Sequence, residues 1–113
     1  MNVQIFGTKK SFDSNKAERY FIERGIKYQF VDMKEKGLSK GEFNSVCQAV
    51  GGYEKLIDPK CKDKNLLALV QYLSEEDKKE KILENQKIIR TPIVRNGKQA
   101  TVGYEPDVWK DWK

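Results

Sequence analysis

No histidine occurs anywhere in the 113 residues of this chain. Its absence removes the usual general base, the commonest metal ligand and every Ser-His or Cys-His nucleophile pair. Cysteine is almost as scarce. Cys47 and Cys61 are the two in the chain, too few and too widely spaced for a disulfide framework, a CxxC pair or a zinc site, so no metal is expected. No apolar run is long enough to read as a membrane span, and the first residues lack the basic-then-apolar pattern of a secretory leader, so the expected location is the cytoplasm. Arginine is confined to Arg19, Arg24, Arg90 and Arg95. The net charge of +5 therefore comes mainly from lysines interleaved with acids, a pattern of solvated helical faces and not of the arginine stripes that read nucleic acid.

What is present suits one domain with a single core: 38% hydrophobic and 35% charged residues, without repeats or low-complexity segments. Val3, Ile5 and Phe6 form an apolar strand that Gly7 closes. After the loop from Thr8 to Ser11, Asp13 or Ser14 is expected to cap a helix running to about Arg24, with Ala17, Tyr20 and Phe21 on its apolar face. Ile26 to Val31 reads as a second strand, and a strand-helix-strand connection implies a right-handed crossover with parallel pairing. A loop between a strand and a helix N-terminus collects backbone amides and the positive end of the helix dipole. It favours an anion or a thiolate, and Lys9 and Lys10 strengthen that field. The residue at the helix mouth is Ser11, and no imidazole exists to activate it.

The middle of the chain reads as helices. Ser39 and Glu42 have the spacing of a capping box, and the stripe Phe43, Val46, Cys47 and Val50 makes Cys47 a core thiol. Gly51-Gly52 ends that helix, and Tyr53 to Ile57 can add one turn. Asp63 can cap a helix carrying Leu66, Leu67, Leu69, Val70 and Leu73, while Cys61 is expected to be exposed in a lysine-rich loop. Ser74 opens a further helix with Ile82 and Leu83 facing inward. Strands then return at Thr91 to Arg95 and Lys98 to Val102, joined by Asn96-Gly97, a pair suited to a type I′ turn. Pro92 cannot donate to a ladder and so marks an edge, a strand beginning or a cis bond. A last helix over 107–113 should present Val108, Trp109 and Trp112, the tryptophans acting as core anchors.

This order is an α/β, thioredoxin-like plan: β-α-β, then β-β-α, with an all-helical insertion between the halves. Residues 1–113 read as one domain, with 1–32 and 88–113 as its core and 33–87 as the insertion. The segments Ile5-Phe6-Gly7-Thr8, Ser11, Ser14-Asn15-Lys16-Ala17, Arg90-Thr91-Pro92-Ile93-Val94 and Val102-Gly103-Tyr104 resemble the ArsC/Spx family. That family contains glutaredoxin-dependent arsenate reductase and the transcription regulator Spx. The resemblance implies a cysteine nucleophile in the first loop, facing a cis-proline. That position falls on Ser11, and the second cysteine of the CxxC form found in many Spx proteins falls on Ser14. The positions matching the reductases' arginines are Asp58, Thr91 and Tyr104, with Arg90 one residue away.

The resemblance further implies a site in which Ser11 and Arg90 hold the catalytic positions, with Thr8, Lys9, Lys10, Ser14, Thr91 and Pro92 as binding residues. It implies no bound cofactor; glutathione or glutaredoxin would serve as thiol co-substrate for a small oxyanion. An alcohol forms neither a mixed disulfide nor a thioarsenate. The chain is therefore expected to be a thiol oxidoreductase relative that is inactive as it stands, with Ser11 either native or a replacement for cysteine. The alternative is an Spx-like transcription regulator that binds RNA polymerase, at the C-terminal domain of the polymerase α chain.

Overall fold

Val3, Ile5 and Phe6 are all buried, so strand β1 (Val3–Gly7) has to be covered on both faces. In the computed structural model, which describes residues 1–112, β1 is accordingly an inner strand of a four-stranded sheet ordered β2-β1-β3-β4. Strand β2 (Tyr28–Asp32) runs parallel to it, β3 (Ile93–Asn96) antiparallel, and β4 (Gln99–Val102) antiparallel to β3. This is the thioredoxin-like α/β plan.

Helix α1 (Phe12–Glu23) lies on one face, where Ala17, Tyr20 and Phe21 meet Val3, Ile5 and Val94. Trp109 completes that layer, with ring centroids 5.1 Å from Tyr20 and 5.2 Å from Phe21. Its indole N–H donates to Thr101 Oγ1 at 2.7 Å, satisfying the one polar atom that burial would otherwise strand. Both tryptophans are buried anchors, as their sequence positions suggest. The last helix is shorter than expected and leaves Trp112 beyond its end. Helix α5 spans Pro106–Trp109, Val108 points to solvent, and Lys113 lies outside the described residues.

The other face carries helices α2 (Lys40–Val50), α3 (Lys64–Gln71) and α4 (Glu75–Glu84), with 3-10 turns at Tyr53–Leu56 and Gln86–Ile88. Phe43, Val46, Leu56, Ile82 and Ile88 pack there against Phe6, Val31 and Ile93. The Ser39–Glu42 capping box forms in full, Asp63 and Ser74 cap their helices, and Gly51 closes α2 in the left-handed region. At the two ends of this segment Gln86 grips Leu38, accepting its N–H at 2.7 Å and donating to its carbonyl at 2.8 Å. Among the described residues no helix is long and apolar enough to cross a membrane.

Four local expectations need correction. Helix α1 is capped by Ser11, not by Asp13 or Ser14, because Ser11 is the residue with extended backbone (φ −77°, ψ 126°) and a hydroxyl aimed at Ser14 N–H. Strand β2 starts at Tyr28, since the Ile26 amide is taken by the Phe21 carbonyl at the helix end (2.9 Å). The hairpin turns at Gly97-Lys98, one residue later than expected. Asn96 is drawn into the ladder opposite Gln99, and its side-chain oxygen accepts Asn2 N–H at 3.1 Å. Gly97 alone takes positive φ (61°), which suits a type II′ turn and not I′. Cys61, finally, is buried. Its Sγ lies 3.8 Å from the Lys87 carbonyl, under a loop folded back on residues 87–90.

Candidate functional site

The loop after β1 is fixed by two serines. Ser14 is fully buried on the first turn of α1, and its hydroxyl accepts the Thr8 N–H at 3.3 Å. A side chain on Gly7 would run into that hydroxyl, so glycine there is a packing requirement. Ser11 Oγ accepts the Ser14 N–H at 3.2 Å, and Ser11 O accepts the Asn15 N–H at 3.1 Å. The hydroxyl thus occupies the place where the helix amides converge, the position at which an anion or thiolate gains most from the dipole.

The opposite wall comes from residues 56–60 and 88–92. Ile57 and Ile89 form an isolated antiparallel bridge, flanked by Asp58 N–H to Ile88 O (2.8 Å) and Arg90 N–H to Leu56 O (2.7 Å). Asp58 turns the chain further by accepting the Lys60 N–H at 2.9 Å. Thr91-Pro92 is a cis peptide, Pro92 is buried, and its carbonyl accepts the Gly103 N–H at 2.8 Å. Gly103 has φ +83°, and a Cβ there would sit 3.1 Å from Arg90 Nη2. Its bare backbone is what leaves room for the guanidinium.

Between the walls lies a cleft of about 420 Å³ lined by Ser11, Asp13, Asp58, Pro59, Lys60, Arg90 and Thr91. Beyond Asp58 and Thr91 a larger hollow of about 680 Å³ continues past Thr8, Lys34, Lys36, Leu83, Gln86 and Lys87. Of the residues expected at the site, Ser11, Arg90 and Thr91 meet in the smaller cleft, and Thr8 lines the larger one. Lys9 and Lys10 do not line the Ser11 cleft; they are exposed in the turn that precedes Ser11. Ser14 and Pro92 are buried behind it and act on its shape. Tyr104 sits apart, its ring 4.5 Å under Lys16 Nζ, and Phe12 beside Ser11 is 75% exposed.

Sequence spacing does not single out Asp13, Pro59 and Lys60 as site residues. Asp13 has the look of a capping residue, and Pro59-Lys60 reaches the cleft only because the Ile57–Ile89 bridge folds its loop there. No local pattern reports such a long-range pairing. Cys47 is no substitute nucleophile: it is buried at the far end of α2, and burial pushes its thiol pKa up, away from the reactive thiolate.

The ArsC family model matches residues 6–112. The fold is close to that of an ArsC-family-related protein from Bacteroides fragilis, with a TM-score of 0.86 at 20% identity over 100% of this chain and 98% of the other. The arsenate reductase of Vibrio cholerae superposes with a TM-score of 0.80 at 25% identity, covering 96% of this chain and 94% of that one. The uncharacterized protein YusI of Bacillus subtilis is 22% identical over 115 residues, covering 98% of both chains.

Proposed function

This chain belongs to the ArsC family and has its thiol-oxidoreductase fold, and from that premise we propose that Ser11 stands at the position of the family's nucleophilic cysteine. The observation that carries the reading is the Ser11 hydroxyl itself. It accepts a helix N-terminal amide at 3.2 Å and borders a cleft that also holds Arg90 and Thr91. A thiol at that point would be stabilised as thiolate by the same amide and by the positive end of the helix dipole. The alcohol present is far too weak an acid to ionise there, and no histidine is available to take its proton. The chain as it stands therefore binds at this cleft without performing thiol chemistry. Glutathione, or the protein thiol of a glutaredoxin, is the co-substrate that a cysteine at this position would use.

The test is the Ser11→Cys variant. Its added thiol should titrate well below the ordinary cysteine range of about 8.5 and exchange with oxidised glutathione to give a mixed disulfide. In that exchange the thiolate attacks one sulfur of the disulfide and a glutathione thiolate leaves. A titration at the ordinary value, followed by ultraviolet absorbance of the thiolate with Cys47 and Cys61 as background, would overturn the reading.

A further inference from the structure

We propose that two copies of this chain pair along their β2 edges, antiparallel and about a two-fold axis at Gln29, so that their sheets become one continuous sheet. Strand β2 ends the sheet order on one side, and its backbone shows which groups are left open. Met33 N–H donates to Gly7 O at 2.9 Å, so by the alternation of a parallel ladder Gln29 and Val31 also turn their amides and carbonyls toward β1. Those of Tyr28 and Phe30 point outward. Among the described residues neither has a backbone partner on that side, whereas the next outward carbonyl, Asp32 O, is already taken by the N–H groups of Glu35, Lys36 and Gly37. Tyr28 and Phe30 thus form a short open edge, spaced as the hydrogen-bonded positions of an antiparallel ladder require.

The side chains name the occupant. On the sheet face away from α1, Arg95 Nη1 donates to Gln4 Oε1 at 2.9 Å, and Gln4 Nε2 donates to Gln29 Oε1 at 3.3 Å. A guanidinium has no acceptor, so each amide in this row has a single orientation. Gln29 Nε2 is therefore the donor presented at the exposed end of the row. Its complement is an amide oxygen beside a donor turned the other way, which a second Gln29 related by a two-fold axis supplies. Pairing Tyr28 with the second copy's Phe30 puts the two Gln29 residues directly opposite, with Cα atoms about 4.5 Å apart. Each Nε2 then donates to the other Oε1, and the open backbone groups of Tyr28 and Phe30 are satisfied on either side. On the α1 face the same register sets half-buried Tyr28 against half-buried Phe30. Ile22, 63% exposed, lies one helical turn after Glu18, which holds the Tyr28 hydroxyl at 2.7 Å, so an exposed apolar side chain flanks the same edge.

The experiment is sedimentation equilibrium of the unmodified chain at concentrations up to about 1 mM, where a dimer of dissociation constant below about 100 μM is expected. Gln29→Lys brings two ammonium groups together at the axis and Gln29→Glu two carboxylates, and each should weaken association by about tenfold or more. An equimolar mixture of the two variants should associate again, because position 29 faces itself, and this recovery excludes misfolding as the cause of the loss. A chain that stays monomeric to about 1 mM, association that neither variant weakens, or a mixture that remains monomeric would overturn the proposal. None of the residues lining the Ser11 cleft lies on β2, so these outcomes are independent of the Ser11→Cys titration.

Discussion

Ser11 and Ser14 form a relay across the first turn of α1: Ser11 Oγ accepts the backbone N–H of Ser14, while Ser14 Oγ accepts the backbone N–H of Thr8. One hydroxyl ends the helix and the other ties the loop to it. Position 11 is therefore a structural cap as well as a candidate chemical position.

Ser11→Ala removes the cap and leaves a helix amide without its partner. The variant should be less stable by about 1 kcal/mol, and Ser11→Gly by only a few tenths. Urea unfolding followed by tryptophan fluorescence measures both. Equal stability of all three chains would show that the hydroxyl contributes nothing as a cap.

Gly103→Ala meets two penalties together, a left-handed backbone (φ +83°) and a methyl group 3.1 Å from Arg90 Nη2. A loss of about 1–2 kcal/mol is expected from the backbone alone. The double variant Gly103→Ala with Arg90→Ala should recover the steric part. Thermal or urea denaturation of the two chains gives the comparison.

Tyr28 donates its hydroxyl to Glu18 Oε2 at 2.7 Å. Burial, then the bond to Glu18 and its negative charge, push the phenol from the ordinary 10.0 up to about 12. The folded chain holds this proton more tightly than the unfolded chain does. The stabilisation is therefore complete below pH 10 and is lost as the pH rises from about 10 through about 12. Tyr28→Phe should flatten the decline of stability in that window. Its absorbance titration should also lack the last phenol to ionise.

The features that were legible in the sequence are those set by neighbours along the chain. The Ser39–Glu42 box, the Phe43-Val46-Cys47 stripe and the buried tryptophans follow from spacing and composition, and all are found. Where the sequence misled, a distant contact decided. Cys61 looked exposed among lysines, yet its loop is folded under residues 87–90. Asn96 looked like a turn residue until Asn2 claimed its side chain. The cleft shows the same division. Ser11 and Thr91 are visible beside their helix and proline, and Asp13 has only the look of a cap, whereas Lys60 reaches the cleft only when two separated segments pair.

The pairing of Ile57 with Ile89 makes the cleft a border held in common by the insertion and the sheet. Of its lining, Asp58, Pro59 and Lys60 are encoded within residues 33–87, and Ser11, Asp13, Arg90 and Thr91 outside them. Recombination that exchanged the insertion as a block would carry away three of the seven residues that line the cleft. Specificity in such a chain evolves by co-adaptation across this seam, and the insertion is not a freely transferable ornament on the fold.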